Sequence, residues 1–191
     1  MLEIEAKLKV DSHAPVRERL EACSARFAYR VLEENHILDW ADGSLRAAGC
    51  GLRVRRCRVL GGRPVSDTLT YKGPRQPGPY KKRLEINLAV ESAEAACALL
   101  AALGCVQVMR FEKKREVWEL DGCEVALDEV PHLGSYVEIE GPDNEAIGRL
   151  QERMGLGNCP HISRGYASLL GEFCRAEGLD VTAIAFPSPG R

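Results

Sequence analysis

The chain lacks most of the features that would settle its class at a glance. No stretch is apolar over the roughly 20 residues that a bilayer-spanning helix needs. The amino terminus carries acids where a secretory leader carries basic residues, and no apolar leader core follows. A cytoplasmic protein with no membrane partner is therefore expected. Eight cysteines are present, yet none forms a C-x-x-C pair, so the usual zinc and dithiol patterns are excluded. They are read as reduced thiols that fill space. Basic residues are not in excess: 26 Lys and Arg face 28 Asp and Glu, a formal net charge of −2. Non-specific binding of nucleic acid needs a clear basic surplus, so no nucleic-acid partner is expected. His13, His36, His132 and His161 are scattered, and no two share ligand spacing on a helix. Walker-A and kinase spacings are missing, as are internal repeats and low-complexity segments.

What is present is a series of short alternating segments. The length of 191 residues and the apolar content of 45% suit one large domain with a core of its own. Period-2 alternation predicts strands at about 2–10, 27–38, 51–60, 68–72, 81–90, 106–120, 124–128 and 136–140. Asp11-Ser12 and Pro15 open a helix that runs to about Cys23. SAEAACALLAALG reads as a helix with a Ser cap and a Gly stop, and NEAIGRLQERMG and ISRGYASLLGEFCRAEG read as two more. Gly61-Gly62 reads as a hairpin turn, GPRQPGP as a loop and AFPSPGR as a loose tail. Short turns between consecutive strands imply an antiparallel sheet with helices, an α+β fold.

The charges keep step with the strands. Glu3, Glu5 and Lys7 share one parity, with Leu2, Ile4, Ala6 and Leu8 on the other. Arg53 and Arg55, Arg83 and Glu85, Lys113 and Arg115, Glu124 and Asp128, and Glu138 and Glu140 repeat the arrangement, and Lys72 joins the face of Thr68 and Thr70. Strand by strand, a sheet with one wet face would account for this. Two features favour a site. The charged faces use Arg heavily, and its planar fork suits phosphate. Two strands also each carry an EIE pair, at 3–5 and 138–140. Like charges on one face repel, and a divalent cation bound by carboxylate oxygens relieves that repulsion. A barrel of about eight strands is just wide enough to enclose one small ligand. Such an interior would hold a metal ion and a polyanion together.

These residues resemble a known family. EIEAK at 3–7 is similar to the ExExK signature of the CYTH superfamily, the triphosphate tunnel metalloenzymes. The likeness continues in order through NHILD, LRVR, TYKGP, KRLEI, EKKRE and VALDEVPHLGSYVEIEG to SRGYASLL. The resemblance implies an eight-stranded antiparallel β-barrel forming a triphosphate tunnel, with covering helices. The domain would span residues 1–175, and 176–191 would be a C-terminal tail to which no role is assigned. The resemblance makes Glu3, Glu5, Glu138 and Glu140 ligands of Mg²⁺ or Mn²⁺. Arg53, Arg55, Lys72, Arg83, Lys113 and Arg115 would hold the triphosphate. Lys7 and Glu5 would be catalytic, and Glu85 and Asp128 supporting. Asn87 stands where family members often carry a third acid. The implied substrate is a small-molecule triphosphate: ATP, inorganic triphosphate or thiamine triphosphate. Two reactions stay open, a class IV (CyaB-type) adenylyl cyclisation of ATP to cyclic AMP and pyrophosphate, and triphosphate hydrolysis. Phe27, Tyr29, Trp40, Tyr80 and Tyr136 are candidates for a base slot. A non-catalytic polyphosphate-binding barrel is the alternative, and a homodimer is the assembly the resemblance allows.

Overall fold

Two-residue periodicity builds the wall of the molecule. In β1 (Leu2–Val10), Ala6 and Leu8 are buried on one face, while Glu5 and Lys7 are buried on the other. Seven more strands follow: β2 (Arg26–Trp40), β3 (Gly51–Gly62), β4 (Asp67–Gln76), β5 (Lys81–Val90), β6 (Cys105–Leu120), β7 (Cys123–Val130) and β8 (Gly134–Glu140). They close into an antiparallel barrel in the order β1-β5-β4-β3-β2-β6-β7-β8, with β8 back on β1. This computed structural model describes residues 1–187.

Register brings the charged parity of each strand to the inside. Glu5 stands opposite Glu140 and Lys7 opposite Glu138. Glu3 stands opposite Arg83 and Glu5 opposite Lys81. Arg115 faces Asp128 and Lys72 faces Glu85.

The opposite parity makes an outer core. Helices α1 (Ala14–Ala22) and α4 (Asn144–Arg153) lay Val16, Leu20, Ile147 and Leu150 over Leu8, Leu127, Val137 and Ile139. Asp143 caps α4 by accepting from the Ala146 amide at 2.8 Å. Helix α3 (Ala93–Ala102), capped by Ser92, packs on Leu38, Val54 and Cys105. Trp118 packs in the outer core and donates its indole N–H to Glu116 at 2.8 Å.

Three features differ from expectation. First, the connection from β2 to β3, for which no element was expected, contains one short helix, α2 (Ser44–Ala47). Second, Gly61-Gly62 is no hairpin turn. It ends β3 and pairs with Tyr29 and Arg30, beside a bulge at Leu60 of β3; β2 has a bulge of its own at Ala28, against β6. Gly62 has φ +83°, and a Cβ there would stand 2.4 Å from the Ala28 carbonyl oxygen. Glycine is what lets the two backbones approach.

Third, not all helices cover the outside. Helix α5 (Tyr166–Glu177) packs Tyr166, Leu170 and Cys174 against Met109, Phe111 and Tyr136. Those last three share the inward parity of Lys113, Arg115 and Glu138. α5 therefore plugs one end of the barrel with apolar side chains. The segment after it runs parallel to β6. The Arg110 amide donates to Thr182 O at 3.1 Å, Ile184 N to Arg110 O at 2.9 Å, and Glu112 N to Ile184 O at 2.8 Å. Ile184 is buried in the plug core. Here β6 has no β7 partner, since that pairing begins at Lys114, so the segment covers an open sheet edge. The tail of the sequence reading is thus docked as far as described; residues 188–191 lie outside the described residues. All eight cysteines are free thiols. Among the described residues no helix is long and apolar enough to cross a membrane.

Candidate functional site

The barrel encloses a cavity of about 940 Å³. Glu3, Glu5, Lys7, Arg53, Arg55, Lys72, Arg83, Glu85, Lys113, Arg115, Glu138 and Glu140 all line it. The structure thus gathers the residues singled out in sequence at one place, with Asp128 on the same inner face, completely buried against Lys113 and Arg115.

The cations divide into two groups. Arg115 meets Asp128 twice, Nε–Oδ1 at 2.7 Å and Nη2–Oδ2 at 2.6 Å, and also donates to Glu138. Lys113 Nζ lies 3.0 Å from Asp128 and 3.4 Å from Glu33. Arg55 reaches Glu33 at 3.1 Å. Lys72 pairs with Glu85 and stands 3.7 Å from Glu3. Arg53 and Arg83 have far less. Arg53 donates to Thr70 Oγ1 at 3.4 Å, and the Thr70 hydroxyl donates in turn to Asn87 Oδ1 at 2.7 Å. Arg83 reaches only the Gly49 carbonyl, at 3.2 Å. Asn87 therefore serves as an acceptor behind Arg53.

Among the described residues, the buried side-chain polar atoms without a hydrogen-bond partner are Glu5 Oε1, Arg53 Nε and Arg83 Nε. All three residues line the cavity. Buried orphans are rare and costly; two guanidinium donors and one carboxylate oxygen are left without partners here.

Electrostatics follow from this crowding. Burial, followed by Arg55, pulls Arg53 down to about 10. Burial and then Arg53 bring Lys72 down to about 8. Burial pushes Glu33 and Glu138 upward, yet the surrounding cations outweigh it and hold both carboxyls well below the usual range. Glu140 goes the other way: burial, then Glu3, Glu124 and Glu5, raise it to about 7. One sector is thus rich in carboxylates and the rest rich in cations.

Whether the acidic sector suits a metal can be judged from its donors. They are all carboxylate oxygens, the set hard divalent cations prefer, and Glu5 Oε1 is orphaned. Glu138 is engaged by Lys7 at 3.1 Å and by Arg115. Among the described residues no three His, Cys, Asp or Glu side chains converge on one point. Glu3, Glu5 and Glu140 fit a cation in charge and chemistry.

Several residues escaped the sequence reading. Lys81 lies 2.9 Å from Glu5 Oε2 and lines the cavity. Its signal was available, because it shares the parity of Arg83 and Glu85. Glu33 is buried beneath Arg55, Lys113 and Arg115. Tyr166 and the Arg164 carbonyl reach in from the plug. Of the five aromatic candidates for a base slot, only Tyr29 lines the cavity. Phe27 and Trp40 are largely exposed, Tyr80 packs on His161, and Tyr136 is buried against Tyr166.

Comparison with known proteins gives a consistent picture. The family model described as CYTH domain matches residues 1–151. A Methanocaldococcus jannaschii protein named "putative adenylate cyclase" is 28% identical over 167 residues, 86% of this chain and 92% of its own. The PH1819 protein of Pyrococcus horikoshii superposes with a TM-score of 0.76 at 27% identity, covering 90% of this chain and 99% of that one. HpAC1 from Hippeastrum, described as revealing a dominant triphosphatase activity, shares the fold with a TM-score of 0.67 at 18% identity, covering 93% and 97%.

Proposed function

Because this chain belongs to the CYTH domain family, we propose that it is a metal-dependent enzyme that binds a small-molecule triphosphate in its tunnel and hydrolyses it. The observation that carries this reading is the set of orphaned atoms. Arg53 Nε and Arg83 Nε are donors awaiting an anion, and Glu5 Oε1 is an acceptor awaiting a cation, all in one cavity. A triphosphate with its divalent ion supplies both. Arg53, Arg55, Lys72, Arg83, Lys113 and Arg115 bind the phosphates. Each charge-assisted contact contributes on the order of 1.5–3 kcal/mol. Glu3, Glu5 and Glu140 would hold Mg²⁺ or Mn²⁺, with Glu138 beside them, and a bound ion would supply charge to offset the phosphate oxygens. Lys7, held 3.1 Å from Glu138 and 3.7 Å from Glu5, presents a fixed ammonium to the reacting group. Glu85 and Asp128 steady the cations.

Hydrolysis is favoured because it needs no base slot, and Tyr29 alone of the aromatic candidates lines the cavity. Cyclisation of ATP is the second reading, favoured by the name of the M. jannaschii relative. One incubation panel separates the two. Purified protein receives ATP, inorganic triphosphate or thiamine triphosphate with Mg²⁺ or Mn²⁺. Released phosphate supports hydrolysis, and cyclic AMP with pyrophosphate supports cyclisation. Metal-independent binding without turnover of any triphosphate would overturn both in favour of a binding barrel.

A further inference from the structure

The plug helix reaches the ion pairs of the interior through Tyr166. The Tyr166 hydroxyl donates to Asp128 Oδ2 at 2.9 Å. Its ring centroid lies 3.9 Å from Lys7 Nζ and 5.1 Å from Lys113 Nζ. The side chain is buried. Two residues earlier, the Arg164 carbonyl accepts from Lys7 Nζ at 3.2 Å. The neighbouring backbone contact, Ile162 N to Lys7 O at 2.8 Å, ties the same segment to β1.

Lysine carries its charge on a flexible stem with three donors and no acceptor. Left to Glu5 and Glu138 alone, the Lys7 ammonium could shift between two carboxylates on one side. The plug supplies a carbonyl and a π-face from another direction, and the ammonium is then held by both groups. Tyr166 also stiffens Asp128, which carries Lys113 and Arg115. A residue needed only for packing would have no use for a hydroxyl aimed at that carboxylate. Arg164 and Tyr166 lie beyond residue 151, where the match to the family model ends, in the SRGYASLL stretch.

We infer that Tyr166, together with the Arg164 carbonyl, is a positioning element that fixes the Lys7 ammonium and the Asp128 carboxylate, so that the plug helix is a working part of the site. The inference rests on the role given to Lys7 under the proposed function. Tyr166 touches neither substrate nor metal in this scheme; it acts through Lys7 and Asp128.

The test compares Tyr166→Phe, which keeps the ring, with Tyr166→Met, which keeps much of the volume without one. Triphosphate turnover is followed with Mg²⁺, alongside melting temperature and the NMR shift of the Lys7 ε-methylene protons. Tyr166→Met is expected to lower kcat roughly tenfold with KM little changed, and Tyr166→Phe, which loses the hydroxyl bond to Asp128 but keeps the π-face over Lys7, to lower it by only about two- to threefold. The Lys7 ε-protons are expected upfield in the wild type and in Tyr166→Phe, because they sit over the ring, and at ordinary positions in Tyr166→Met. Equal loss of kcat in both variants, or loss that tracks melting temperature alone, would overturn the inference. Should Tyr166→Met fail to fold, Tyr166→Phe and the wild-type shift still decide: ordinary Lys7 shifts in both would end it. Absence of any wild-type turnover defeats the functional reading instead, and the Lys7 shift then judges the contact by itself.

Discussion

Arg115 and Asp128 face each other across β6 and β7, joined by two hydrogen bonds of 2.7 and 2.6 Å. The planar fork of the guanidinium matches the carboxylate edge to edge. Asp128 also accepts from Lys113 at 3.0 Å and from Tyr166 at 2.9 Å. One buried carboxylate therefore compensates two buried cations. Removing it in Asp128→Ala is expected to cost about 3 kcal/mol, because Lys113 is left with Glu33 alone, Arg115 loses its bidentate partner and keeps Glu138, and the Tyr166 hydroxyl loses its acceptor. Urea unfolding measures this; a loss below about 1 kcal/mol would show that water compensates them as well.

Glu5 is expected to separate chemistry from folding. Glu5→Gln keeps the volume and the approach of Lys81 but removes the charge. Turnover should fall below detection in the metal-supported assay, while the melting temperature stays within a few degrees. Arg53→Ala should chiefly raise KM for the triphosphate, by about 10- to 100-fold for one lost charge-assisted contact. Undiminished activity in Glu5→Gln would remove this residue from the metal set.

A pH dependence follows from Glu116, on the outer face of β6 against Arg17 and Trp118. Burial pushes its carboxyl up, but Arg17, the Trp118 indole and Arg30 outweigh burial and bring it down to about 2, from an ordinary 4.5. A depressed carboxyl favours the folded state above its unfolded pKa. Its contribution should be complete above about pH 5 and be lost as the pH falls from 4.5 towards 2. Glu116→Gln should flatten the stability profile over that window. An unchanged acid limb in chemical denaturation would contradict the assignment.

Gly62→Ala is expected to destabilise by about 1–3 kcal/mol, since the new methyl would run into the Ala28–Tyr29 backbone at a position with φ +83°. The same glycine shows how far sequence reasoning reached. Strand parity found the strands and their inward charges because a two-residue period is local. A Gly-Gly pair reads alike in a turn and beside a bulge, and only the partner strand distinguishes them. Glu33 and Glu34 are adjacent acids of opposite parity, and the bulge in β2 hides which one points inward. Helical periodicity announced α5 and its apolar stripe but could not say which wall would receive it. Lys81 was readable by parity from Arg83 and Glu85, at the head of a strand expected over 81–90, but it stands just outside the KRLEI stretch that carried the resemblance.

Truncation after Gly178 should loosen the plug end without opening the rest of the barrel. The amides of Arg110 and Glu112 lose their acceptors at Thr182 and Ile184, and their hydrogen exchange should accelerate by at least tenfold. Unchanged protection of both would show that the segment is not held there in solution.

The order in which the strands join has a consequence for how the protein is made. β1 pairs with β5 on one side and with β8, the last strand to be synthesised, on the other. Glu5 meets Glu140 only across that final seam. A ribosome delivering the chain from its amino terminus therefore exposes β1 for most of translation, with a row of apolar side chains and an edge awaiting its partner. Such long-range closure is slow and vulnerable to misassembly. The acidic sector comes into being only when the ring shuts, so nascent chains carry the residues of the site without yet having the site.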